Sequence, residues 1–221
     1  MADTPETGAV QGPPSPQLPE EPQVAPFGPG ELAATATRPH RLLDVVLGER
    51  RRLAATLHGG DALPALLAAL VVCSLLGALP FAMVDGLDRA AHVAALFLGS
   101  VLLCYPSLQV FGAYLGVQLR PAQCLAIALV IPSASALFTL GFAPIYWFLQ
   151  WTMPAIDGEW NLTRIVLLVL SLLLALSHVN RCLYADARLS PLRDSWALWA
   201  GWQLLVVFLT WRMAEALGML P

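Results

Sequence analysis

"AAHVAALFLGSVLLCYPSLQVFGAYLGVQ", residues 90–118, contains no Asp, Glu, Lys or Arg. A helix needs only ~20 apolar residues to cross the ~30 Å hydrocarbon core of a bilayer, so this run is longer than a single crossing demands. A surface helix of a water-soluble domain would show a charged face every turn or two, and none is present here. The run reads as a membrane span, and that reading decides the fold. Its second half is unusual, because "LLCYPSLQVFGAYLG" carries Tyr105, Pro106, Ser107 and Gln109 at membrane depth. At about 100° per residue, Tyr105, Gln109, Gly112 and Gly116 fall in one narrow stripe, with Ser107 on the opposite side. Gly112 and Gly116 have the small-xxx-small spacing that lets two helices approach closely, and Gln109 and Tyr105 would then find partners in the same seam. Pro106 removes a backbone hydrogen bond and kinks the helix. The same ingredients would serve a ligand path, so the stripe is either a packing seam or a route for a small molecule.

Four further segments extend the pattern. Residues 62–84, 122–150, 163–180 and 195–220 are apolar, and the linkers between spans are short: "DGLDR", "LRP", "DGEWNLT" and "RCLYADARLSPLRD". The expected fold is all-α: an integral membrane bundle of five transmembrane helices over residues 61–221. Composition agrees, since 57% of the 221 residues are hydrophobic and only 12% charged, where soluble domains carry about a quarter. Every basic residue is arginine; with the abundance of Ala, Leu, Gly and Pro this suggests a GC-rich, bacterial genome.

Before the bundle lie two segments of different character. Residues 1–37 hold many prolines and little that is large and apolar, so they cannot offset their ordering entropy and read as a disordered, Pro-rich cytoplasmic tail. Residues 38–60 place Leu43, Val46, Leu47, Leu53, Ala54 and Leu57 at helical spacing, with charges on other faces. This is an amphipathic juxtamembrane helix. It either lies in the interface, with Arg50, Arg51 and Arg52 on lipid head groups, or caps the bundle in water.

Arginine placement orients the chain. Arg38, Arg41, Arg50, Arg51, Arg52, Arg120, Arg181, Arg188 and Arg193 fall on one side, against Arg89, Arg164 and Arg212 on the other. The positive-inside rule then puts the N-terminus in the cytoplasm and the C-terminus outside the bacterial inner membrane. Tyr146, Trp147 and Trp151, Trp196, Trp199 and Trp202, and Trp211 read as interfacial aromatic belts.

The chemistry is defined largely by what is missing. The first three predicted spans carry no Asp, Glu, Lys or Arg, and the fourth holds only Arg164 at its very start, whereas ion-coupled transport and intramembrane hydrolysis need ionisable groups at depth. His178 and Cys182 share a helix face but have no third ligand nearby in sequence, so no metal is expected. Ser133 and Ser135 lack a neighbouring base and read as packing residues. No phosphate-binding glycine loop occurs, the net charge of −3 and pI near 5.7 give no nucleic-acid footprint, and no cofactor is called for. Arg212 and Glu215, three apart, should pair at the end of the last span.

A disordered tail, an amphipathic approach segment, five short-looped spans and an outer C-terminus resemble the Yip family of membrane proteins. "LLCYPSLQVFGAYLGVQLRPAQCLAIAL" followed by "GFAPIYWFLQW" is similar to an uncharacterised bacterial branch of that family. The resemblance covers about residues 40–220. It implies a non-enzymatic role in membrane organisation or trafficking, exerted through membrane lipids and a membrane-protein partner or a second copy. The family's acidic "DLYGP" motif before the first span is replaced by "LLDVVLGERRR", so small-GTPase binding is not carried over. The alternative is a permease-like subunit for a small or lipidic substrate.

Overall fold

The structure is a computed structural model that describes residues 24–36, 38, 40–58, 60–117, 119–152, 159–185 and 194–219. Among these all regular secondary structure is helical. Three short helices, α1 (Pro29–Ala33), α2 (His40–Leu43) and α3 (Arg50–His58), precede α4 (Leu63–Leu76), α5 (Leu79–Asp85), α6 (Leu87–Tyr114), α7 (Pro121–Thr152), α8 (Glu159–Ala185) and α9 (Trp196–Ala216). Five segments are long and apolar enough to cross a membrane: α4 with α5, then α6, α7, α8 and α9. This is the all-α multi-span bundle expected from the sequence. Residues 24–58 cover one end, the near face. Asp85, Thr152 and Ala216 close helices at the other end, the far face.

The first span is broken at Gly77–Ala78, and Pro80 enters the first turn of α5, where its missing N–H has no partner to lose. The break seats Gly77 against α7 and α6. A β-carbon there would lie 2.6–2.7 Å from Ala136 and Phe97, including the Ala136 backbone. Only glycine fits.

The central helix is α7. It packs on α4, α6 and α8, and its middle, from Ala126 to Leu137, is buried. A hydroxyl seam ties it to α4: Ser133 Oγ reaches the Leu70 carbonyl at 2.8 Å, its own Leu129 carbonyl at 2.7 Å and Ser74 Oγ at 3.2 Å. Ser133 is thus a packing residue, as read. In contrast, α9 lies along α6, with Gly99 giving room to the Met213 side chain.

The near-face segment corrects the expected boundary of the tail. Residues 1–23 lie outside the described residues, but Phe27 and Leu32 are only 3% and 2% exposed and belong to the main core. Two large apolar side chains within six residues supply the burial that the prolines alone concealed. Arg52 organises this segment. It pairs with Glu31 and Glu49, each at 2.8 Å, donates to the Ala25 carbonyl at 3.2 Å, and sits 4.2 Å over the Phe27 ring. The Phe27 N–H donates to Thr56 Oγ1 at 2.8 Å.

The amphipathic segment caps the bundle. Val46, Leu53, Ala54 and Leu57 are buried, while Leu43 is exposed. A π-helical stretch, Asp44–Gly48, shifts the register so that Val45 and Val46 face inward together with Leu53 and Leu57. Gln123 of α7 donates to the Leu57 carbonyl at 3.0 Å, and His178 of α8 bonds the Val46 carbonyl at 2.8 Å. The apolar face expected to meet lipid is therefore occupied by protein.

Candidate functional site: an apolar cleft between α6, α7, α8 and α9

The stripe singled out in the sequence does not form a crossing. Gly116 has φ +75° and open space around it, and a β-carbon at Gly112 would touch only the Val117 carbonyl at 4.0 Å. The Val117 N–H donates to Gly112 O at 2.9 Å and the Gly116 N–H to Ala113 O at 3.1 Å. These two bonds are the Schellman pattern that ends a helix with a left-handed glycine. The spacing of four that suggested a seam is the spacing of a helix C-terminus. Tyr105 and Gln109 are half-buried, Pro106 is exposed, and none of the five lines the cleft. Ser107 turns back to the Cys104 carbonyl at 2.7 Å.

Of the three arginines expected at lipid head groups, Arg52 is engaged by Glu31 and Glu49. Its hydrogen bond to Glu31 holds that carboxyl below its usual range, and the two carboxylates raise the guanidinium pKa. Arg50 is half-buried and Arg51 exposed. Cys182 Sγ lies 3.4 Å from His178 Nε2, and among the described residues no third ligand joins them.

Two polar clusters went unread. At the far face, Tyr146 donates to Asp85 at 2.8 Å, Arg164 pairs with Asp85 at 2.5 Å, and Arg164 Nε donates to the Tyr146 oxygen at 3.0 Å. This network clamps α5, α7 and α8 together. Tyr146 is 1% exposed, so it is a core residue and not a belt aromatic. Near the other face, Asn180 Oδ1 of α8 accepts from Trp199 Nε1 at 2.6 Å and from Gln203 of α9. Trp199 stacks on Trp202 at 4.9 Å, and both are buried. Trp196, Trp147, Trp151 and Trp211 are exposed and fit the belt.

The Asn180 cluster pins α9 to α8 at the near end. Toward the far face the two helices leave a cavity of about 110 Å³, several times the ~10–15 Å³ that one water requires by such a measure. Its back wall is α6 and α7 (Val93, Phe97, Val101, Ile131, Pro132), and its sides are α8 and α9 (Ile165, Leu168, Leu172, Val206, Ala214). Trp202, 1% exposed, forms the near end, its indole N–H 3.4 Å from the Cys104 carbonyl. Ser100 and Thr210 turn their hydroxyls onto carbonyls of their own helices, Phe97 at 3.2 Å and Val206 at 2.7 Å. The third hydroxyl of the lining, Ser135 Oγ, is buried with no hydrogen-bond partner among the described residues; the rest of the wall between the two ends is mostly hydrocarbon.

The chain matches no family model, no curated protein and no solved structure. Function is accordingly read from the cleft itself. Val169, Leu173 and Trp211 line it and are also exposed at the bundle surface, so the cleft opens sideways between α8 and α9. In a membrane, what lies beyond that opening is lipid chains. Arg89 and Arg164 stand at its far-face end. No motif marks the cleft, because its lining comes from all five spans, Phe81 of α5 included, and each contribution reads as ordinary apolar sequence.

Proposed function

We propose that this protein is a non-enzymatic, multi-span protein of a bacterial inner membrane that acts by assembling with lipid, and through lipid with a membrane-protein partner or a second copy. The observation that carries this reading is the laterally open apolar cleft at membrane depth. An empty apolar cavity beside lipid forgoes dispersion contacts that an acyl chain would supply. A Yip-like role in membrane organisation fits a protein whose bundle takes up lipid.

Several features support a non-enzymatic role. Asp85 and Arg164, which reach into the bundle, are bound to each other and to Tyr146, and the buried His178 is bound to the Val46 carbonyl. Ser133 donates to backbone carbonyls and faces no base. The arginine distribution supports a cytoplasmic near face. The permease alternative needs a route joining the two faces, and the cleft ends on the buried Trp202 stacked against Trp199. Holding lipid is the better account of a closed-ended cleft.

The test is lipid retention. Protein purified in mild detergent should carry lipid that survives washing, and Thr210→Phe, which fills the cleft from α9, should lose it while remaining folded. Equal lipid content in the two proteins would remove the basis of this reading.

A further inference from the structure

Resting on the lipid-assembly reading, we propose that the cleft holds one acyl chain of an anionic phospholipid, with the lipid phosphate against Arg89 at the far-face end.

Depth is the first argument. The cleft follows α6 from Arg89 to Cys104, a separation of fifteen positions and a rise of about 22 Å. Half a bilayer measures ~20–22 Å including its head-group layer. The cleft thus matches one lipid, seated with its head at the far face and its chain ending on Trp202. A wall that is apolar between its ends apart from Ser135, with Ser100 and Thr210 turned onto their own helices, suits a chain better than a polar group.

Charge supplies the head group. Two arginines stand at the far-face end. Arg164 is answered by Asp85. Arg89 makes no ion pair with any described residue, including its neighbour Asp88. One positive charge is therefore left at head-group depth, beside a slot that admits a chain. A guanidinium there binds phosphate as a fork of donors, which a zwitterionic lipid satisfies only against its own ammonium.

The test uses the full chain reconstituted in nanodiscs made from an equimolar mixture of phosphatidylcholine and phosphatidylglycerol, then released for native mass spectrometry. Wild type should retain about one lipid, with phosphatidylglycerol enriched about fivefold. Arg89→Gln should retain as much lipid with the enrichment gone, and Arg89→Lys should keep most of it. Thr210→Phe should lose the retained lipid altogether. Equal retention of the two lipids by wild type would overturn the assignment of Arg89 and leave the lipid-holding reading standing. Enrichment that survives in Thr210→Phe would overturn the assignment as well, since the selectivity would then belong to the outer surface. Equal loss in Arg89→Lys and Arg89→Gln would show that Arg89 is structural. No retained lipid in wild type would defeat the reading beneath it.

Discussion

The third and fifth spans are both apolar helices, yet they are held by different means. The best apolar window of α7 is 72% buried within the protein, and that of α9 only 17%. The helix α7 meets neighbours on most of its circumference, through a glycine contact, a hydroxyl seam and an ion pair with a tyrosine. The helix α9 rests on α6 and is pinned to α8 by one amide. In water such a helix would detach or aggregate; in a membrane its outer face needs only lipid. The difference teaches that apolarity places a helix in the bilayer, while small and polar residues decide whether it belongs to the rigid core or to a wall that can admit a guest.

Substitutions can break this contrast at either pole. The largest effect is expected at Gly77→Val, where the branched side chain meets the Ala136 backbone. A loss of roughly 3 kcal/mol or more, or failure to accumulate, should be seen by thermal unfolding in detergent. A silent variant would mean that α5 does not cross α7 as described.

Next comes Asp85→Asn, which removes the carboxylate that Arg164 meets in a largely buried position. About 2–3 kcal/mol should be lost, less than for a fully buried pair because Arg164 retains some exposure. Removing the charge from both sides, as Asp85→Asn with Arg164→Gln, should recover part of the loss. A double variant no better than the sum of the singles would show that the two groups do not interact.

On the other pole, Asn180→Leu removes the acceptor shared by Trp199 and Gln203. A cost of about 1 kcal/mol is expected, localised to one helix. Hydrogen–deuterium exchange should rise across 196–216 and stay unchanged across 121–152; a uniform rise would erase the distinction between hub and wall.

The smallest effects separate a helix end from a packing seam. Gly116→Ala should cost about 1 kcal/mol, because Gly116 sits at positive φ. Gly112→Ala, in helical geometry with no neighbouring helix against it, should be neutral or slightly stabilising in the same thermal assay. Equal and large losses at both would restore the crossing that the spacing first suggested.

The bundle was legible because span length and lack of charge are local properties. All five spans were bounded to within four residues at either end, and Arg212 and Glu215 form the expected pair. Glycine spacing misled, since a close crossing and a Schellman terminus can share the same interval of four. The true close approaches, at Gly77 and Gly99, have no glycine partner four residues away on either side. Asp85 and Arg164 stand 79 positions apart at linker edges, so nothing local announced their pairing, although opposite charges at the same membrane end were the available signal. Phe27 and Leu32 were hidden among prolines. The cleft was illegible for a deeper reason: a void is made by what several helices together fail to fill, and no single segment records it.

The central claim is that lipid chains enter the cleft as far as Trp202. Quenching of tryptophan fluorescence by lipids brominated along the acyl chain tests this most directly, with Trp202→Phe subtracted from wild type to isolate the signal. Because Trp202 is 1% exposed, a bundle without an occupant would shield it from every bromine position. Strong quenching of Trp202 by bromine near the chain terminus, weak quenching by bromine near the head group, and loss of both in Thr210→Phe are expected. A Trp202 emission untouched by bromine at any depth would contradict the claim.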